Sequence, residues 1–150
     1  MIQAKHQIAA LFFIVAVAMV ATALLISQSS PAVDLYIHDT YYVISHTAAF
    51  FVLSLYFVAC GIIYLVYGKL LRKTMSLRLG HFHFWLSVVA VAILLYSFYE
   101  VRPSLLGNDV PRAQAAMHSF AEFGFAAFFG FFLAQIVFIV NIFWSFFRRA

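Results

Sequence analysis

Four apolar stretches, each long enough to cross a lipid bilayer, leave this chain little choice of architecture. Ile8 to Ile26 runs without a charged residue, and Ala48 to Tyr67 follows, extended backward by Val43 to Thr47. Phe82 to Tyr99 contains His83, and Ser119 to Phe147 contains Glu122, Gln135 and Asn141. About 20 helical residues, at ~1.5 Å each, span a hydrocarbon core of ~30 Å. Lipid offers no partner to backbone N–H and C=O groups, so each stretch must pair its own and is read as a helix. The expected fold is all-α: an integral membrane four-helix bundle forming one domain over 1–150. Its helices are expected over about 6–28, 42–68, 79–100 and 113–148. Composition agrees, with 66% hydrophobic and 9% charged residues; a soluble domain is about half apolar and a quarter charged. Lys5 and Ser30-Pro31-Ala32 give the first stretch some likeness to a signal peptide. Its apolar run exceeds the ~7–15 residues of a signal core, so it reads as a span.

Charge orients the helices. Lys5, Lys69, Arg72, Lys73, Arg78, Arg148 and Arg149 fall at the two ends and in the second loop, whereas only Arg102 and Arg112 fall in the other loops. Basic loops stay on the cytoplasmic side, so both termini are expected inside a cell inner (plasma) membrane. The acids Asp34, Asp39, Glu100, Asp109 and Glu122 then lie toward the outside. The net charge of +4 is thus a topology signal, and no nucleic-acid partner is implied. The basic inner loop, Gly68 to Gly80, can lie against the anionic headgroups of the cytoplasmic leaflet. Cys60 is the single cysteine, which excludes an intrachain disulfide and suits a buried thiol.

Ligand-type side chains collect where loops meet helices. His38-Asp39-Thr40-Tyr41-Tyr42-Val43-Ile44-Ser45-His46 places two histidines, an aspartate and two tyrosines at the start of the second span. Such groups are costly to desolvate and usually have a partner. In the expected topology His46 and His118 lie near the outer ends of their helices, with His38 in the adjoining loop, while His6, His81 and His83 lie near the inner face. His118 and Glu122 share a helix face at i and i+4. With His46 and His38 they form a candidate non-haem metal site, imidazole and carboxylate suiting zinc, iron or copper; alternatively Glu122 simply hydrogen-bonds His118 or sits among headgroups. His81 and His83 project about 200° apart and cannot easily share an ion.

The opening string resembles HDTYYVVAHFH of haem-copper oxidase subunit I (cytochrome c oxidase subunit I), with His46-Thr47-Ala48 standing where that family has His-Phe-His. Leu79-Gly80-His81-Phe82-His83-Phe84-Trp85-Leu86-Ser87 is similar to its GKIHFWLT string, and Val110-Pro111-Arg112 to its MPRR string. Leu25 to Ser30 followed by Asp34 is similar to the segment just before HDTYY. The order matches helices nine to twelve, so the chain resembles a standalone relative of that subunit's C-terminal four helices.

The resemblance implies that His46 is a haem-iron ligand, that His38 and Asp39 lie near a metal and the haem propionates, and that Arg112 pairs with a propionate. It implies nothing for His118, which enters as a second axial ligand from depth alone. The low-spin haem's histidine is replaced by Ala48, and the copper-ligating helices have no counterpart in these 150 residues. A complete oxygen-reducing centre within this one chain is therefore not expected, and whether the protein is an enzyme stays open. The subunit's three four-helix arcs around a pseudo-threefold axis suggest a homotrimer. Small residues at Ser54, Cys60, Gly61, Gly124 and Gly130, with the amides of Gln135 and Asn141, offer close helix approach and interhelical hydrogen bonds.

The favoured function is binding of haem b near the outer leaflet, for electron transport with a respiratory electron-transfer partner, or for gas or redox sensing. Two alternatives stand beside it: a structural membrane subunit without cofactor, and a trimeric protein holding a non-haem metal ion.

Overall fold

A computed structural model describes the backbone of residues 4–26, 32–37, 40–69, 75–105 and 110–147, and side chains over 6–26, 45–69, 75–97 and 118–147. The order is α1 (Ala4–Ile26), β1 (Ala32–Ile37), β2 (Thr40–Ser45), α2 (His46–Lys69), α3 (Leu77–Leu105) and α4 (Val110–Phe147). Four helices carry the chain, each with a segment long and apolar enough to cross a membrane: His6–Ile26, His46–Lys69, Leu77–Ser97 and His118–Phe147. The all-α class and the multi-pass membrane reading both hold.

The start of α2 differs from the expected position near residue 42. Thr40 to Ser45 instead pairs antiparallel with Ala32 to Ile37, in the register Tyr36↔Tyr41, Leu35↔Tyr42, Asp34↔Val43. Residues 40–44 are β-branched or aromatic throughout, side chains that suit a pleated surface. Ser45 then ends the strand and caps the helix. Its Oγ accepts the backbone N–H of Ala48 at 3.0 Å, satisfying one of the donors a helix start leaves unpaired. At the other boundaries the shifts are smaller. α3 continues through Pro103 to Leu105 rather than stopping near 100, since a proline in the last turn costs a single backbone bond. α4 opens at Val110, placing Pro111 in the first turn, where its fixed φ is favourable.

Two compact units divide between Leu77 and Arg78. In the first, α1 packs on α2 through Phe12, whose ring lies 5.6 Å from that of Tyr64 and 5.8 Å from that of Phe57. Ile8, Phe12, Ala16, Met19 and Ala23 supply the buried stripe of α1 at helical spacing. Gly61 lets the helices meet: a Cβ there would lie 3.0 Å from the Phe13 ring. Cys60 is a buried free thiol, as expected.

In the second unit α3 and α4 run antiparallel, since Tyr96 meets Phe123, Ala90 meets Gly130 and His83 meets Phe138. A Cβ on Gly130 would stand 3.3 Å from that of Ala90. Gly61, Gly130 and the buried Asn141 are thus taken up by packing inside the chain. That removes them from the set of small and amide residues expected to join copies.

Candidate functional site

His46 is the first residue of α2 and directly follows the capping Ser45. The family string has alanine at the Ser45 position. A serine there fixes the strand-to-helix switch one residue before the imidazole, so His46 is held in the first turn and is half-buried. Beside it the Thr47 Oγ1 is buried and has no hydrogen-bond partner in the structure. An unsatisfied buried hydroxyl costs free energy comparable to a lost hydrogen bond. The small, exposed Ala48 follows. One imidazole, one orphaned hydroxyl and a small side chain fit the edge of a bound polar group with a single axial ligand. They do not fit a site in which α2 supplies two axial ligands.

His38 and Asp39 lie outside the described residues. Arg112 falls in the first turn of α4, with its side chain likewise outside them. His118 lies on the exposed side of α4, where its Nδ1 stands 3.5 Å from Glu122 Oε1, the side chains being 76% and 67% accessible. The structure therefore brings His118 to Glu122, the i, i+4 neighbour, and His46 to Ser45 and Thr47. His46 and His118 belong to different compact units. Among the described residues no three His, Cys, Asp or Glu side chains converge on one point.

His81 and His83 part company as their spacing predicts. His83 is fully buried, its ring stacked on Phe138 at 4.8 Å and 21°, whereas His81 is half-buried. Packing on that scale leaves no room for a porphyrin against His83. On the same two helices Ser87, Asn141 and Ser145 are also buried, and the Ser145 hydroxyl donates to the Ile142 carbonyl at 2.6 Å. The motif reading missed this concentration of buried polar residues. Its signal was present as two i, i+4 pairs, His83 with Ser87 and Asn141 with Ser145, each placing both polar groups on one face of an apolar helix.

Comparison with known proteins matches the same region as the opening string. The model of the family described as Cytochrome C and Quinol oxidase polypeptide I matches residues 2–102, so α1, the hairpin, α2 and most of α3 are covered while α4 falls outside. The cytochrome c oxidase subunit 1 of Corynebacterium efficiens is 29% identical over 90 residues, 60% of this chain and 15% of that protein. The subunit 1 of Corynebacterium glutamicum is 33% identical over 64 residues, 43% of this chain and 11% of that protein. The chain thus corresponds to a small part of the length of either relative. No solved structure matches it significantly. On the family match and the capped His46 motif inside it, this chain belongs to the Cytochrome C and Quinol oxidase polypeptide I family.

Proposed function

We propose that this chain binds a b-type haem through His46, near the outer membrane boundary, and serves in electron transfer or in gas or redox sensing. The observation that carries this is His46 itself, which opens α2 inside the family-matched residues beside an orphaned Thr47 hydroxyl. When bound, the haem supplies an iron that cycles between ferrous and ferric. His46 would hold that iron through one ring nitrogen, and an oxygen on the other ring nitrogen would orient the imidazole. Thr47 offers a hydroxyl at the same edge. His38, Asp39 and Arg112 are the residues proposed to meet the propionates, the arginine through its two-pronged guanidinium. The remaining proposals are a single four-helix domain, a homotrimer, both termini in the cytoplasm of an inner membrane, and a respiratory electron-transfer partner. A structural subunit that keeps the fold without a cofactor is the reading that the haem test would put in its place.

His46→Ala tests the haem proposal. In protein from haem-replete cells the substitution should remove the Soret band, while His81→Ala should keep it. A Soret band undiminished by His46→Ala would assign the iron to another ligand. The coordination state then follows from His118→Ala: a change from six-coordinate to five-coordinate would make His118 the second axial ligand.

The His118–Glu122 contact at 3.5 Å favours a second reading for α4. Imidazole and carboxylate at i and i+4 are a pair of ligands for a non-haem metal ion that several copies would complete.

A further inference from the structure

Several hydroxyls inside the spans bond within their own helix. Thr22, Ser54, Ser97 and Ser145 each donate to a carbonyl three or four residues back, at 2.6 to 2.9 Å. The Thr47 Oγ1 is buried and has no hydrogen-bond partner in the structure. The carbonyls three and four residues behind it belong to Ile44 and Val43, which lie in β2 rather than in a helix. The orphan is therefore a consequence of where α2 starts. Were α2 to begin a turn earlier, the Val43 carbonyl would come within reach of the Thr47 hydroxyl.

The segment Thr40–Ser45 carries signals for both structures. Its β-branched and aromatic residues suit the strand, which pairs with Ala32–Ile37. That sheet has two strands, and a hairpin of this size is marginal by itself. On the helical side, Thr40 to Cys60 runs without Gly, Pro or carboxylate, so nothing in the sequence stops α2 from extending backward. A residue of capping type stands at each possible start. Ser45 is one, its Oγ accepting the Ala48 N–H at 3.0 Å, and Thr40, at the head of the segment, is the other. In the strand form the Ser45 cap is made and the Thr47 hydroxyl is left unpaired. In the helical form that cap bond is lost and Thr47 donates to Val43, its lone pairs staying available to a bound group. One interaction is exchanged for the other.

We propose that Thr40–Ser45 is a strand-to-helix switch that regulates haem binding at His46. Paired with β1, the segment leaves His46 as the first residue of α2, in the turn where helices fray. Released from β1, it adds more than a turn to α2 and places His46 in the helix interior, where backbone bonds on both sides fix the imidazole. A ligand shifts an equilibrium toward the state it binds better, so haem draws the segment into the helix and frees β1. Only this trigger rests on the haem proposal; the two states stand on the hairpin and on Thr47.

Hydrogen–deuterium exchange of the full chain in detergent, read by mass spectrometry with and without haemin, tests the switch. Haemin should send the two strands in opposite directions. Exchange over 32–37 should speed up about tenfold, within the usual range of coupling between linked equilibria, while exchange over 40–47 slows. In haem-free protein Leu35→Pro, which disrupts β1 opposite Tyr42, should likewise slow exchange over 40–47 and raise the helical circular dichroism. Unchanged exchange over α1 will show that this variant folds. Slowing of both strands together, or no change in either, in protein whose Soret band shows bound haemin would overturn the proposal. So would faster exchange over 40–47 in Leu35→Pro. If no Soret band forms, the haem reading fails and the trigger with it, and Leu35→Pro alone decides whether the segment has a helical state.

Discussion

At the residue scale, Ser45 decides where His46 stands. Its hydroxyl accepts the Ala48 N–H and starts α2 one residue before the imidazole, after a strand that the preceding side chains favour. Replacing it with alanine removes the capping oxygen. Ser45→Ala should cost about 1 kcal/mol and lower the thermal unfolding midpoint in detergent by a few degrees, roughly as expected for a domain of this size. An unchanged midpoint would mean that the cap contributes nothing. His46 was legible as a ligand-type residue at a boundary, whereas the cap was not, because the helix was expected to start near residue 42 with Ser45 inside it. Thr47's orphaned hydroxyl was not, because burial of a single oxygen depends on neighbouring elements rather than on its own stretch of chain. For the same reason Asn141 could be recognised as a polar group in a span while its full burial could not.

At the element scale the apolar stretches made the four helices legible, whereas the hairpin was hidden. Val43 to Thr47 leads into the apolar run of α2 with no Gly, Pro or carboxylate to mark a boundary, and such a short stretch alone does not separate a strand from the first turn of a helix. The antiparallel pairing with Ala32 to Ile37 decides between them. Within the second unit, glycine positions give the pairing of α3 and α4 a direct check. Gly130→Leu would drive a side chain into Ala90, whose Cβ lies 3.3 Å from where the leucine Cβ would stand, and should destabilise by about 1–3 kcal/mol. Gly124→Leu meets nothing within 4 Å of its Cβ and should leave the unfolding midpoint unchanged or raise it, leucine being the better helix former. Equal losses at the two positions would contradict the antiparallel register that Tyr96, Ala90 and His83 define.

At the scale of the whole molecule, topology governs which ligands share a membrane side. Seven basic residues at the ends and in the Lys69 to Arg78 stretch, against two elsewhere, are expected to hold both termini inside. Tags at either end should resist external protease in intact cells; cleavage of a C-terminal tag would place His118 on the inner side and remove the reason for setting it at the depth of His46. The homotrimer is checked by native mass spectrometry from detergent, where three chains should travel together and a clean monomer would count against it. The central claim is that a chain of this family, with one histidine left of the family's His-Phe-His, still carries haem. An optical spectrum of the purified protein, recorded oxidised and then dithionite-reduced, tests that most directly. A Soret band that shifts on reduction, with b-type bands in the visible region, is the expected result. Protein from haem-replete cells with no Soret absorption would contradict it and leave the structural-subunit reading in its place.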